Sequence, residues 1–359
     1  MKKIIYFLMI ALCGAVFTSC EKEENHDDPI VDPVYGTCGV FVLNEGSYYN
    51  SIKGSLSYLN YSTESLTDGI FQAANGRSLG GTPNDMVQVD SRLFICVTDE
   101  NRLEIVETQN AKSVRYTEIT QPREVCASGD GIYVSSYDGT VTMFDFEGKL
   151  MAKSEKVGAC LEGITVRNGY VYVCNAYNAD YTYNTNVVKL EEGTLKKVKD
   201  ITVACNPTQI EYDGGDIYVL STGNYADVQA QIQTIDKDDN VKYLCDATMM
   251  AIDKNTVYAI NAVYGGTPEY FKVETATGEK TPILSSAATA NIYSPCSIAV
   301  DPMSQYIFVG SYNLGAYGYA DYAAPGFVMQ FKYDGNLVKK YDAGVGPTTL
   351  VPLIVALNK

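Results

Sequence analysis

PREVCASGDGIYV, residues 122–134, is a β-hairpin in outline. Pro122 opens it with a fixed φ and an apolar strand follows. Asp130-Gly131 then reverses the chain, and Ile132-Tyr133-Val134 begins a second strand. The same grammar returns in LEGITVRNGYVYV (161–173) and PTQIEYDGGDIYV (207–219), with a weaker copy at 247–259. The anchors of the repeat are Pro83, Pro122, Leu161, Pro207, Ala247, Pro295 and Pro347, spaced 39 to 52 residues apart. A period near forty with several short strands per unit is the pattern of a β-propeller, in which each blade packs only against its two neighbours. The sequence therefore predicts an all-β fold: a seven-bladed β-propeller of four-stranded blades.

Working outward from the anchor, each unit divides into strands A to D. Strand B is a continuous apolar run, as in Phe94-Ile95-Cys96-Val97, whereas strand C alternates, as in Thr140-Val141-Thr142-Met143-Phe144. The A–B and C–D turns carry Gly or Asn, for example Asn168-Gly169 and Asp334-Gly335. The first unit lacks strand A and opens at strand B with Val40-Phe41-Val42-Leu43-Asn44, while Pro347-Thr348-Thr349-Leu350-Val351 repeats the anchor at the other end. The C-terminal strand is thus expected to join the first blade, closing the ring and removing two open sheet edges.

The N-terminus reads as targeting. Lys2 and Lys3 precede an apolar run, 4–17, too short to span a bilayer, and Phe17-Thr18-Ser19-Cys20 resembles a bacterial lipobox with Cys20 as the lipidated residue. The expected division is a lipoprotein signal peptide (1–19), a lipidated Cys20 with an acidic tether (20–36), and the propeller (37–359). An acidic stretch directly after Cys20 resembles a surface-export signal, so a surface-exposed outer-membrane lipoprotein is expected.

Composition excludes several functions. The formal charge of −16 would repel nucleic acid. The one histidine, His26, lies in the tether, so no Ser-His-Asp or Cys-His site and no His-ligated metal can be built in the domain. No Gly loop cradles a phosphate. Cys96 and Cys174 share one slot in strand B and read as small buried residues. Cys160, Cys205, Cys245 and Cys296 sit near four consecutive anchors, where inter-blade disulfides or a thiolate ring are conceivable. No catalytic residue, catalytic cofactor or metal site is expected. A calcium-dependent hydrolase or lyase built from Asp, Glu and Asn alone stays open.

In an up-and-down blade, B–C and D–A connections share one face, and here that face holds the long loops. Immediately past strand B the blades present Asn44, Val97, Ser136, Asn175, Ser221, Asn261 and Ser311. Short polar side chains cap strand ends, which accounts for part of this pattern. The same loops carry Tyr48, Tyr137, Tyr177, Tyr225, Tyr264 and Tyr312, and Arg77, Asn84, Arg123, Glu162 and Gln209 are expected nearer the axis. Tyrosine offers a rigid apolar plate with a polar tip, so a large neutral ligand rich in amides or hydroxyls is expected there.

Several segments together, Phe41-Val42-Leu43-Asn44-Glu45-Gly46-Ser47, Asn75-Gly76-Arg77-Ser78-Leu79-Gly80, Pro83-Asn84-Asp85-Met86-Val87, Gln121-Pro122-Arg123 and Tyr218-Val219-Leu220-Ser221-Thr222-Gly223-Asn224-Tyr225, resemble the YncE-like, DUF5074-type propeller lipoproteins of Bacteroidetes. The resemblance covers essentially the whole domain. One branch, the BtuG proteins, captures cobalamin above the TonB-dependent transporter BtuB. That branch would imply cobalamin or a related corrinoid as bound cargo, a BtuB-like partner, and recognition by hydrogen bonds and stacking. A glycan-binding or protein-docking surface is the alternative, since tyrosines also stack on sugar rings.

Overall fold

The computed structural model describes residues 34–357 apart from Asp213. The expected signal peptide, with Cys20, His26 and most of the expected tether, therefore lies outside the described residues. Seven four-stranded antiparallel sheets form the ring, and six of them run in chain order from A to D. Their inner strands are Pro83–Val89, Pro122–Ser128, Cys160–Arg167, Pro207–Tyr212, Met249–Asp253 and Ser294–Asp301, for blades two to seven.

Blade one is composite. Its A strand is the C-terminal Pro347–Ala356, paired antiparallel to Tyr35–Asn44 with Phe41 opposite Val351 and Val42 opposite Leu350. The closure is tied sideways as well. The Gln88 side chain behaves like one more ladder rung, donating from Nε2 to the Ile354 carbonyl (2.8 Å) and accepting from the Ile354 amide (3.0 Å). Asp301 of blade seven accepts from Thr37 (2.9 Å) and Tyr61 (2.9 Å) of blade one.

The alternation of a strand explains the packing. In Tyr35–Asn44, Phe41 and Leu43 enter the cluster shared with Met86, Leu93 and Ile95 of blade two, while Val40 and Val42 enter the one shared with Phe308 and Val328 of blade seven. Strand B is thus buried on both faces, which is why it reads as an unbroken apolar run. Cys96 and Cys174 occupy such slots and are fully buried. Cys160, Cys205, Cys245 and Cys296 are free thiols, so the anchor-turn cysteines are not cross-linked.

The A–B and C–D turns are tight. At Asn168-Gly169 both central residues have positive φ (50° and 80°), the mirror-image turn that matches strand twist. The opposite face carries the length, with α1 (Ile70–Asn75) and α2 (Ser286–Thr289) both in D–A connections.

Candidate functional site: a tyrosine face around a polar mouth

The inner strands leave a cavity of about 540 Å³ along the axis. Its lining includes five carboxylate residues, Glu45, Asp85, Glu124, Glu162 and Glu211, and one cation, Arg123. Because strand A starts on the elaborated face, its first residues, such as Asn84, Arg123 and Glu162, sit at the mouth on that side.

The mouth is held by a network between blades three and four. Arg123 donates from Nε to Oε2 of Glu162 (3.0 Å) and from Nη2 to Oε1 (3.3 Å), and its guanidinium lies 4.3 Å from the Tyr137 ring centroid. The Tyr137 hydroxyl donates to Oε1 of the same carboxylate. Burial, then the Glu162 charge, pushes the Tyr137 hydroxyl far above its usual range, so it stays a donor. Asn84 reaches across from blade two and donates to the Arg123 carbonyl (3.0 Å).

Glu45 completes the mouth from the opposite side of the ring. Its amide donates to the Gly346 carbonyl (2.8 Å), and the Gly46 amide to that of Val345 (2.9 Å), pinning the loop to the closing segment. Gly46 has φ +80°, and a Cβ there would meet the Ile52 carbonyl at 2.4 Å, so only glycine permits this turn. Burial raises the Glu45 carboxyl pKa; Arg123 opposes this and Glu162 and Asp99 reinforce it.

Around the mouth stand tyrosines from five blades. Tyr137 meets Tyr177 edge-on at 5.8 Å, and Tyr177 stacks on Tyr181 at 6.2 Å and 13°. Tyr183 meets Tyr225 at 6.0 Å, and Tyr264 and Tyr319 lie parallel at 6.4 Å and 1°. Tyr312 packs edge-on against Tyr322 at 4.8 Å. Three of these contacts bridge neighbouring blades, so the rings form a discontinuous belt. Tyr48 and Tyr49 of blade one are exposed and touch each other.

Tyr181 and Tyr225 are 77% and 76% exposed, and both are held at positive φ (63° and 57°). An aromatic residue in that region costs about 1–2 kcal/mol that Gly or Asn would avoid. Exposed rings gain little from packing, so strain of this kind points to a use outside the fold.

The expected site residues separate into two groups. Asn84, Arg123, Tyr137 and Tyr177 come together at the mouth, and Tyr48, Tyr225, Tyr264 and Tyr312 share its face. The Asn/Ser series does not present itself to solvent as a set. Asn44, Ser136, Ser221 and Ser311 have no exposed surface. Asn44 donates to Ser57 (2.7 Å) and Ser55 (3.0 Å), Ser221 to the Ala204 carbonyl (3.2 Å) and Ser311 to that of Tyr312 (2.9 Å). Asn175, half-buried, bridges the Ala159 amide and Asn186, both at 3.0 Å. Asn44, Asn175, Ser221 and Ser311 thus satisfy strand ends, whereas the Ser136 hydroxyl is buried with no hydrogen-bond partner and Asn261 is left partly open to solvent with no such bond described. Arg77 is also displaced from the expected position: it lies over Phe71 and donates to the buried Glu104 (2.7 Å) of strand C, away from the axis. Glu45 is the mouth residue absent from the expected set.

The fold defines a seven-bladed propeller with its long loops and exposed tyrosines on one side. The domain of unknown function DUF5074 matches residues 38–344, so the chain belongs to that family. No curated protein matches it. Solved structures with the same fold include a protein from Lactobacillus plantarum, 15% identical with TM-score 0.59, over 88% of this chain and 99% of that one. A functionally unknown protein from Desulfotomaculum acetoxidans is 14% identical with TM-score 0.61, over 88% and 98%. Hydrazine synthase from Kuenenia stuttgartiensis is 15% identical with TM-score 0.57, over 74% and 88%. At these identities the likeness is one of fold.

Proposed function

We propose that the protein is a surface lipoprotein, anchored through Cys20, that captures cobalamin or a related corrinoid and passes it to a TonB-dependent outer-membrane transporter without chemical change. The observation that carries the reading is the belt of exposed tyrosines, two of them strained, around a polar mouth. A flat, amide-rimmed macrocycle matches those elements: rings to lie against, and carboxylates of Glu45 and Glu162 to accept from amide N–H groups. A ligand of that breadth would span the mouth and leave the axial cavity for a projecting group. Recognition would use hydrogen bonds and stacking, since no histidine lies among the described residues to ligate cobalt. The family resemblance to the BtuG branch supports the same cargo and a BtuB-like partner.

The parallel Tyr264–Tyr319 pair favours a second reading, a glycan-binding surface, because sugar rings stack on such plates. Melting the purified protein with cyanocobalamin or with neutral oligosaccharides distinguishes them, since a ligand that binds only the folded state stabilises it. Cyanocobalamin is expected to raise the melting temperature at micromolar concentration. A rise with oligosaccharide alone would move the assignment to the second reading. Incorporation of a palmitate analogue, lost in Cys20→Ser, tests the anchor.

A further inference from the structure

Both ends of the described chain leave the ring on one face. Tyr35–Asn44 is strand B of blade one, and it runs from the tight-turn side up to the loop that carries Tyr48 and Tyr49. Its first residue, Tyr35, is paired with Ala356 at the end of the closing strand, and the Leu357 amide donates to the Val34 carbonyl (2.7 Å). The chain therefore enters the propeller on the face of the A–B and C–D turns. The exposed tyrosines Tyr48, Tyr181, Tyr225, Tyr264, Tyr317 and Tyr319 all stand on B–C loops, at the other end of the ring.

Exposed tyrosines also suit the interface of a bilayer, so the alternative for an anchored protein is to lay this face on its own membrane. Chain length decides against it. From Cys20 to Val34 there are 14 residue steps, which reach at most about 50 Å. With the tyrosine face down, the tether must climb the height of the ring, about 30 Å for the 10 residues of Tyr35–Asn44, and cross strands C and D, about 10 Å more. That detour takes up most of the reach, and a chain drawn so tight gives up conformational freedom. With the turn face down there is no detour. We infer that the turn face is the membrane-facing side of the anchored protein and that the tyrosine face is presented to the medium, taking its cargo from solution and not from the membrane plane. The inference rests on the lipid anchor of the proposed function and is independent of which ligand the tyrosine face takes.

A biotin-acceptor peptide inserted after Gly265, on the blade-six B–C loop, or after Gly278, on the C–D turn of the same blade, marks the two faces. A side chain at either glycine would meet nothing within 4 Å, so both positions have room for an insertion. The lipidated full chain is placed on the outside of phosphatidylcholine vesicles, and the rate of streptavidin binding is compared with that of the Cys20→Ser full chain in solution. In solution the two positions are expected to react alike. On vesicles the Gly265 position is expected to keep its rate and the Gly278 position to slow about tenfold. Equal rates on vesicles, or slowing at Gly265 instead, would overturn the assignment with the anchor intact. Failure of the lipidated chain to stay on the vesicles would overturn it through the anchor, an outcome distinct from the other two.

Discussion

Tyr137 and Glu162, on adjacent blades, are joined by a hydroxyl–carboxylate hydrogen bond on the same carboxylate that Arg123 grips from the side. One acidic side chain therefore fixes both a ring of the tyrosine face and the cation of the mouth. Glu162→Gln leaves the buried Arg123 without its ion-pair partner. A loss of about 3 kcal/mol is expected, as for other buried pairs broken on one side. Tyr137→Phe removes one hydrogen bond and is expected to cost about 1 kcal/mol. Urea unfolding of both variants gives the comparison, and equal losses would contradict the shared-carboxylate arrangement.

The raised carboxyl of Glu45 makes a prediction with a sign. Folded Glu45 holds its proton more tightly than the unfolded chain, whose ordinary value is 4.5. Its contribution to stability is therefore complete below that value and is lost as pH rises through the higher folded one. Glu45→Gln keeps the neutral form at every pH. The variant is expected to match the wild type at pH 4 and to exceed it at pH 8 in unfolding midpoint. An unchanged difference between the two pH values would show that Glu45 titrates as an ordinary exposed carboxyl.

Tyr225 sets function against stability. Replacing it with Asn, which tolerates positive φ, should stabilise the fold by about 1 kcal/mol while removing an exposed ring from the belt. The expected pairing is a higher melting temperature with weaker ligand binding. A lower melting temperature would mean that the Tyr225–Tyr183 contact is a packing interaction.

Closure by the C-terminal strand predicts a large effect from a small deletion. Removing 347–359 exposes the edge of Tyr35–Asn44 and opens the axial cavity along one side. The truncated protein is expected to lose the single cooperative thermal transition and to aggregate. Retention of a single transition at the same temperature would show that the other blades suffice.

Much of this was legible because a propeller repeats its physics. The run Phe94-Ile95-Cys96-Val97 had to be a strand buried on both faces, and the echo of the anchor at Pro347 identified the missing strand of blade one. The site was less legible, because a polar residue at a strand end looks the same whether it faces solvent or a neighbour. The partners that turn Asn44 and Ser221 inward, Ser57 and the Ala204 carbonyl, lie 13 and 17 residues away on other segments. Sequence alone puts Arg77 near the axis, because nothing local reveals that its connection runs outward to Glu104. Glu45 had a usable signal in the following glycine, which marks a turn that no other residue could make.

The central claim is that the tyrosine face is the surface that takes the ligand. Calorimetric titration of cyanocobalamin into the wild type and into a Tyr181→Ala/Tyr225→Asn variant tests it most directly. Two lost stacking contacts at about 1 kcal/mol each predict an affinity lower by roughly tenfold or more, with the variant folded at least as stably. Saturable binding of equal strength in both proteins, or none in either, would contradict the account.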